Sequence, residues 1–495
     1  MTGVRLRLAA LANTTSAATR TGLSLLFIVI VARRLGVEGF AALGIILSLY
    51  QAIPLLSHVW HWWAQRIVGE SMGEEAVRAA GTGLLLSIAV APLAAVIYSA
   101  VVWVTLGSAG LDPGVGLLAA PAVAMFVVSR YMASGIIAVT RPELLGFMFL
   151  VHEIAKLGAA LVLVIGMGWG LRGAVISLDV AGLALLVSAS IVYFRLPVAG
   201  LSFSRDMAVS WFRRWRLPIS ILILTLSESL IRPVYTWVTG LIRPVAYLNI
   251  ALSIAAPMTR MGQAMMPGLY ANSLRGGGLW GLEETIRIYL AFLGLLVALV
   301  AGASKPIASF FNPVYVDGHL ILLAGAVYSF IAGLAFSYRV YVQGSTKLTG
   351  EGYEKLYRII SWEIIVIFLG MVLGALLSTA AKSPWLAALA YMTIVALARL
   401  AAVARYHLIL RSSGFRFPWR SLLEALVAGM GALAYLEASG VQGMIVAELL
   451  VDGVNLGLHL VVSTIVYGLV LLAVSPWARG LATRLGGMVA RRVAS

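Results

Sequence analysis

Fourteen apolar runs, each about 20 residues long, follow one another along the chain with short polar breaks between them. They centre near residues 20, 49, 92, 127, 155, 183, 228, 257, 291, 331, 369, 396, 429 and 465. A hydrocarbon core about 30 Å thick is crossed by roughly 20 helical residues. Inside it the backbone must bond to itself, so each run is read as a membrane-spanning helix. Prolines stand within several of the runs (Pro54, Pro92, Pro121, Pro233, Pro257), each removing a backbone donor and marking a place where a helix can bend. One break is longer and differently built. In 196–216, Phe203, Met207, Val209, Trp211, Phe212 and Trp215 are interleaved with Arg205, Arg213, Arg214 and Arg216, the pattern of an amphipathic helix lying in the headgroup layer.

Composition agrees with this reading. Hydrophobic residues make up 61% of the chain and charged residues 11%, where a soluble domain is about a quarter charged. The net charge of +16 could suggest nucleic acid, but its placement argues against one basic surface. With a cytoplasmic N-terminus and fourteen crossings, 23 of the 36 basic residues fall in cytoplasmic segments and seven inside spans. Only Arg33, Arg34, Arg172, Arg243, Lys305 and Lys382 fall outside. That asymmetry is the positive-inside pattern; it predicts a multi-pass protein of the cell membrane with both termini in the cytoplasm. The chain has no cysteine, so disulfides and thiolate-bound metals are excluded. Arg5 and Arg7 before an apolar run resemble a signal peptide, but Ser24 to Val31 extends the run too far, and a retained first helix is expected.

The connector divides the spans into six before it and eight after. This suggests two six-helix lobes around a central cavity plus an appended pair: 1–195, the connector 196–216, 217–410, and 411–495 with a basic tail. A trace of repetition supports the parallel arrangement, since ALGIILSLYQAIPLL from Ala42 and YLNIALSIAAPMTRM from Tyr247 share a Leu-Ser step. The expected fold is therefore an all-α polytopic membrane protein of about fourteen transmembrane helices. Gly168 to Gly173 satisfies G-x-G-x-x-G, yet it joins two spans and not a strand and a helix, so it is read as a turn. His58 and His61 have helical spacing for a metal, but Trp60, Trp62 and Trp63 around them read as an aromatic belt.

A charge at mid-membrane costs roughly 3 kcal/mol or more unless it meets a partner or a wet cavity. Seven basic residues face that cost: Arg20, Arg130, Lys156, Arg232, Arg260, Arg339 and Arg399. Arg339 and Arg399 lie near cytoplasmic ends and are expected to snorkel. Arg20 and Arg130 have no acid within a helical turn and are expected to line a cavity. His152, Glu153 and Lys156 stand on one helix face, and Glu228 and Arg232 repeat an i, i+4 pair. Each cluster either handles a coupling cation or merely neutralises itself. Asp179 has no charged neighbour in its own helix and is expected to pair with Lys156 or Arg130 across the bundle.

From Val31 the chain reads VARRLGVEGFAALGIILSL, and from Ala64 AQRIVGESMGEEAVRAAGTGLLLS. WGLRGAV from Trp169, RRWRLPISILI from Arg213 and VAYLNIALSIAAPMTRMGQAMMPGLYANS from Val245 follow in order. These segments resemble the oligosaccharide flippases of the multidrug/oligosaccharidyl-lipid/polysaccharide (MOP) exporter superfamily, from about residue 13 to residue 345. The resemblance implies two lobes working by alternating access and a cationic cavity that receives the phosphate of a lipid-linked glycan. Arginine suits that task because guanidinium binds phosphate oxygens bidentately. On this basis Arg20, which resembles a first-span arginine of such flippases in position, together with Arg130, Arg260 and Arg232, is expected to contact substrate. Glu153, His152, Lys156, Glu228 and Asp179 are expected to serve ion coupling. There is one departure: where many family members carry an acid followed by a base at the end of the seventh span, this chain has Ile231-Arg232, with Glu228 one turn earlier.

The expected activity is thus translocation of a polyprenyl-phosphate or pyrophosphate glycan to the external leaflet, without breaking a bond. Partners would be the polyprenol-linked glycan, membrane lipids and glycan-assembly enzymes, with no nucleic acid and no cofactor beyond a coupling Na+ or H+. A cation-coupled multidrug exporter of the same superfamily is the nearest rival, though it would want acidic mid-span residues. A polyprenol-dependent glycosyltransferase would want acids on an external loop, where the first large one offers only Asp112.

Overall fold

The computed structural model describes residues 3–70, 73–138, 142–274, 278–346 and 351–493, and among them the regular structure is helical throughout. The first part of the chain forms α1 (Gly3–Arg34), α2 (Gly36–Ala52), α3 (His58–Glu70), α4 (Glu74–Ser108), the short α5 (Pro113–Leu117), α6 (Ala120–Ala138), α7 (Pro142–Ala160) and α8 (Gly170–Tyr193). The connector folds as α9 (Arg205–Arg213). Beyond it come α10 (Arg216–Ser229), α11 (Ile231–Thr239), α12 (Arg243–Leu274), α13 (Trp280–Phe311), α14 (Ile321–Ser345) and α15 (Glu351–Ser378). The chain then runs through α16 (Pro384–Ser412), α17 (Trp419–Ala438), α18 (Val451–Val474) and α19 (Pro476–Val493).

Among the described residues eleven helical spans are long and apolar enough to cross a bilayer, and the bent pair α10–α11 makes a twelfth if counted as one. The expected centres near 20 and 257 fall on α1 and α12, 32 residues each, many of whose side chains lie outside the described residues. The chain is an all-α polytopic membrane protein.

The breaks in the helices have local causes. α10 and α11 meet at 71°. Pro233 lacks the N–H that would bond the Ser229 carbonyl, and the Tyr391 hydroxyl donates to the Ile231 carbonyl at 2.8 Å. α2 continues into α3 through a 3-10 turn, Ile53–Ser57, that opens on Pro54. In α13 the break lies at Ala303 (φ −133°, ψ 27°), three residues before Pro306. α7 ends in a π turn, Leu161–Gly166, and the left-handed Gly168 and Gly170 (φ 68° and 54°) carry the chain into α8, so the G-x-G-x-x-G stretch is a turn.

Packing groups the chain into two compact units, Met1–Asn249 with Thr346–Ala398, and Ile250–Ser345 with Arg399–Ser495. In the first unit, α10, α11, α15 and the start of α16 are joined by side chains: the Leu217 N–H donates to the Tyr353 hydroxyl at 3.1 Å, and the Tyr235 and Tyr391 rings sit 4.9 Å apart. In the second unit α13 and α17 approach through small residues. A Cβ at Gly294 would fall 2.6 Å from the Ala425 carbonyl oxygen, and the Tyr467 hydroxyl donates to the Ala291 carbonyl.

The connector is docked on the first unit. The Ser204 N–H donates to Thr82 Oγ1 at 2.8 Å, and a Cβ at Gly81 would fall 2.6 Å from the Ser202 carbonyl oxygen. That neighbour is backbone and cannot rotate away. Gly81→Ala should therefore lift the connector from α4 at a cost of roughly 1–3 kcal/mol, read as lower thermal stability and faster amide exchange at Ser204. Gly107→Ala, with open space around it, should leave both unchanged.

Candidate functional site

Charged residues of α1, α6 and α7 come together around the middle of α7. On this helix Phe149, Glu153 and Lys156 recur at i, i+4 and i+7 and so share a face; on α1, Arg20 and Phe27 are seven apart and do the same. The two faces meet in register. Ser16 Oγ donates to the Gly146 carbonyl at 2.8 Å, the Arg20 guanidinium lies over the Phe149 ring at 4.6 Å, and Lys156 Nζ lies 5.1 Å from the Phe27 centroid. Residue numbers rise together along both helices, so α1 and α7 are parallel and begin on the same side of the membrane. First and fifth crossings must do this.

Glu153 and Lys156 form an ion pair at 2.5 Å, with each side chain only 8% exposed. His152 Nδ1 lies 3.8 Å from Glu153 Oε1, and its Nε2 is 3.5 Å from the Tyr50 hydroxyl on α2. The charges acting on His152 are Lys156, Glu153 and Arg20. The Tyr50 ring packs at 5.1 Å against Phe126 of α6, and one turn further along α6 the Arg130 guanidinium lies 5.9 Å from the Phe126 centroid. The aromatic rings thus lie against the cations and supply cation–π attraction. Among the described residues no carboxylate pairs with Arg130.

Arg232 belongs to the same unit. Its Nη1 donates to Ser48 Oγ on α2 at 2.9 Å, two residues from Tyr50. The i, i+4 pairing of Arg232 with Glu228 does not form, because the 71° bend falls between them and carries Arg232 toward α2. Arg260 lies on α12, and its side chain is outside the described residues.

Asp179 does something other than pair across the bundle. Its Oδ1 accepts the Ala122 N–H at 2.9 Å, capping a free donor in the first turn of α6, where a negative charge is favoured. Arg339 and Arg399 do not snorkel: they are 5% and 1% exposed, enclosed by protein. His58 and His61 are not a surface belt either. His61 is buried and 3.4 Å from Ser87 Oγ, which also accepts the Trp60 indole N–H at 2.8 Å. Sequence reasoning missed Glu363, a fully buried carboxylate in α15; the cost argument applied to the basic residues would have found it.

No protein-family model and no curated protein matches the chain. Solved structures do. The lipid II flippase MurJ in an inward closed conformation matches with a TM-score of 0.67 at 11% identity, over 96% of this chain and 99% of that one. An inward-facing multidrug resistance MATE family transporter of the MOP superfamily matches with a TM-score of 0.63 at 14% identity, over 82% and 98%. A MOP superfamily transporter from Pyrococcus furiosus, described as having a binding pocket of reverse polarity, matches with a TM-score of 0.59 at 15% identity, over 82% and 95%. The chain has the fold of the MOP-superfamily transporters. At these identities the likeness is one of fold, shared by drug transporters and a lipid flippase alike.

The Glu153–Lys156 pair can be tested as structure before it is tested as mechanism. Glu153→Ala leaves a buried ammonium and should cost about 3–5 kcal/mol, seen as a lower melting temperature in detergent. Glu153→Leu combined with Lys156→Met removes both charges and should restore most of that loss.

Proposed function

We propose that the chain is a flippase that carries a polyprenyl-phosphate or pyrophosphate oligosaccharide from the cytoplasmic to the external leaflet by alternating access, in the synthesis of surface polysaccharide or glycoprotein. The observation that carries this reading is the charge state of the first unit. Arg130 and Arg232, both inside spans, have no carboxylate partner among the described residues, and Arg20 on α1 belongs to the same unit. A cation kept in a span without a neutralising acid calls for an anion that comes and goes. Phosphate oxygens meet the guanidinium fork bidentately, while the polyprenol remains in lipid. Arg260 joins this set through the sequence reading alone.

The shared fold supports transport and does not choose between cargoes, since drug transporters and a lipid flippase both have it. The charge favours an anionic cargo. A multidrug exporter for cations would set acids where this chain sets arginines, and the relative with a pocket of reverse polarity shows that the fold admits more than one sign. The glycosyltransferase reading is weakened by Asp112, whose Oδ1 accepts the Gly114 N–H at 2.9 Å as the cap of α5. In the flippase reading Glu153, His152 and Lys156 bind or release the coupling Na+ or H+, and the glycan-assembly enzymes deliver the substrate.

Transport of defined polyprenyl-pyrophosphate glycans into proteoliposomes tests the proposal. Arg130→Lys should slow transport about tenfold, and Arg130→Ala by tenfold to roughly a hundredfold, the range expected for hydrogen bonds to a charged group. Glu153→Gln should alter the pH or sodium dependence of the same assay. Uptake of organic cations, with lipid-linked glycans ignored, would overturn the reading in favour of drug export.

Orientation is tested separately in intact cells. With both termini cytoplasmic, a cysteine at Asp112 should react with an impermeant maleimide from outside and one at Ser413 should not; the chain has no cysteine of its own to confuse the result. The opposite pattern would invert the direction of transport.

A further inference from the structure

The connector helix α9 is fastened to the first unit by one face and leaves a basic, aromatic face open. Ala208 and Trp211 are buried, and at the edge between the docked and open faces the half-exposed Phe212 ring lies 6.2 Å from Trp60 and the Arg214 guanidinium 6.0 Å from the Trp63 centroid. Ser204 caps the helix by accepting the Met207 N–H. α9 is therefore a positioned element and not a slack tether. On its open side Arg205, Val209, Ser210, Arg213 and Arg214, with Asp206, line a shallow cleft of about 460 Å³. Around it Leu201, Phe203, Phe212 and Trp215 are 62%, 54%, 47% and 48% exposed.

Two features fix what this face would take. From 205 to 216 there are four arginines and one aspartate, so the ligand is an anion. Arg213 and Arg214 stand three and two residues before α10, the first half of a pair long and apolar enough to cross a membrane, which is where a chain passes from the headgroup layer into hydrocarbon. Arginine with large aromatics at that depth is how an interfacial helix holds a lipid surface. We propose that α9 carries a binding site for the phosphate of an anionic phospholipid in the leaflet it faces. Arg205, Arg213 and Arg214 hold the phosphate, and Phe212 and Trp215 lie along the chains. This lipid is a resident of the bilayer and not the cargo, so the inference stands whether or not the flippase reading does.

The test uses the full chain in nanodiscs of phosphatidylcholine alone or of phosphatidylcholine with phosphatidylglycerol. Amide exchange across 200–216 is followed together with lipid retention by native mass spectrometry. Phosphatidylglycerol should slow exchange in the connector and remain bound through the spectrometer. Arg205→Gln/Arg213→Gln/Arg214→Gln should abolish both effects, with affinity falling roughly fivefold per arginine, as expected for basic groups at an anionic surface. A control that removes as much charge elsewhere, Arg411→Gln/Arg416→Gln/Arg484→Gln, should leave them intact. The triple Lys variant should keep part of the affinity, which separates loss of charge from loss of folding. Equal loss in the control would make the effect a general attraction and overturn a site. Protection by inorganic phosphate alone would make it a site for soluble anions, and no response to phosphatidylglycerol would remove it altogether.

Discussion

A carboxylate and an ammonium 2.5 Å apart in the middle of α7 set the terms for everything around them. Neither charge is tolerable alone in hydrocarbon, so both must be enclosed, and the enclosure is the packing of α1, α2, α6 and α7. Phe27 and Phe149 lie against the cations and Tyr50 against His152. The parallel register of α1 on α7 follows from these contacts. The same constraint recurs wherever a polar group enters a span: Asp179 is held by a helix terminus, Ser87 by an indole and an imidazole, and Arg232 by a serine.

That constraint also separates groups that are fully answered from groups that are not. Asp179, His61 and Glu153 each have a partner that accounts for their burial, and structure alone explains them. Among the described residues Arg130 meets a ring and Arg232 a hydroxyl, and neither meets a carboxylate. A guanidinium with capacity left over in a span suits a ligand with oxygens to offer, and the proposed anionic cargo rests on this. The bend between α10 and α11 matters here, because it carries Arg232 away from Glu228 and toward α2.

Much of this was legible in the sequence. Apolar length places the spans, and Pro233 marks the bend. The i, i+1, i+4 spacing of His152, Glu153 and Lys156 brings them together as a helix must. What escaped is what depends on other helices. Nothing local shows that Asp179 meets the first turn of α6, 57 residues away in the chain. Nothing local encloses Arg399, near the end of an apolar run, where snorkelling is the natural expectation. Segment 346–398 packs with the first unit because single tyrosines, Tyr353 and Tyr391, reach α10 and α11, and a lone tyrosine in an apolar run carries no address. Arg260 was singled out by the same cost argument as Arg130, and its side chain lies outside the described residues.

The central claim is that mid-span guanidinium groups of the first unit receive phosphate. A cryo-EM structure of the protein with a polyprenyl-pyrophosphate sugar tests it most directly. The account predicts density for the phosphates within hydrogen-bond distance of Arg130, with Arg20 or Arg232 as a second donor. Phosphates bound away from all three, with those side chains still on Phe149, Phe126 and Ser48, would contradict it.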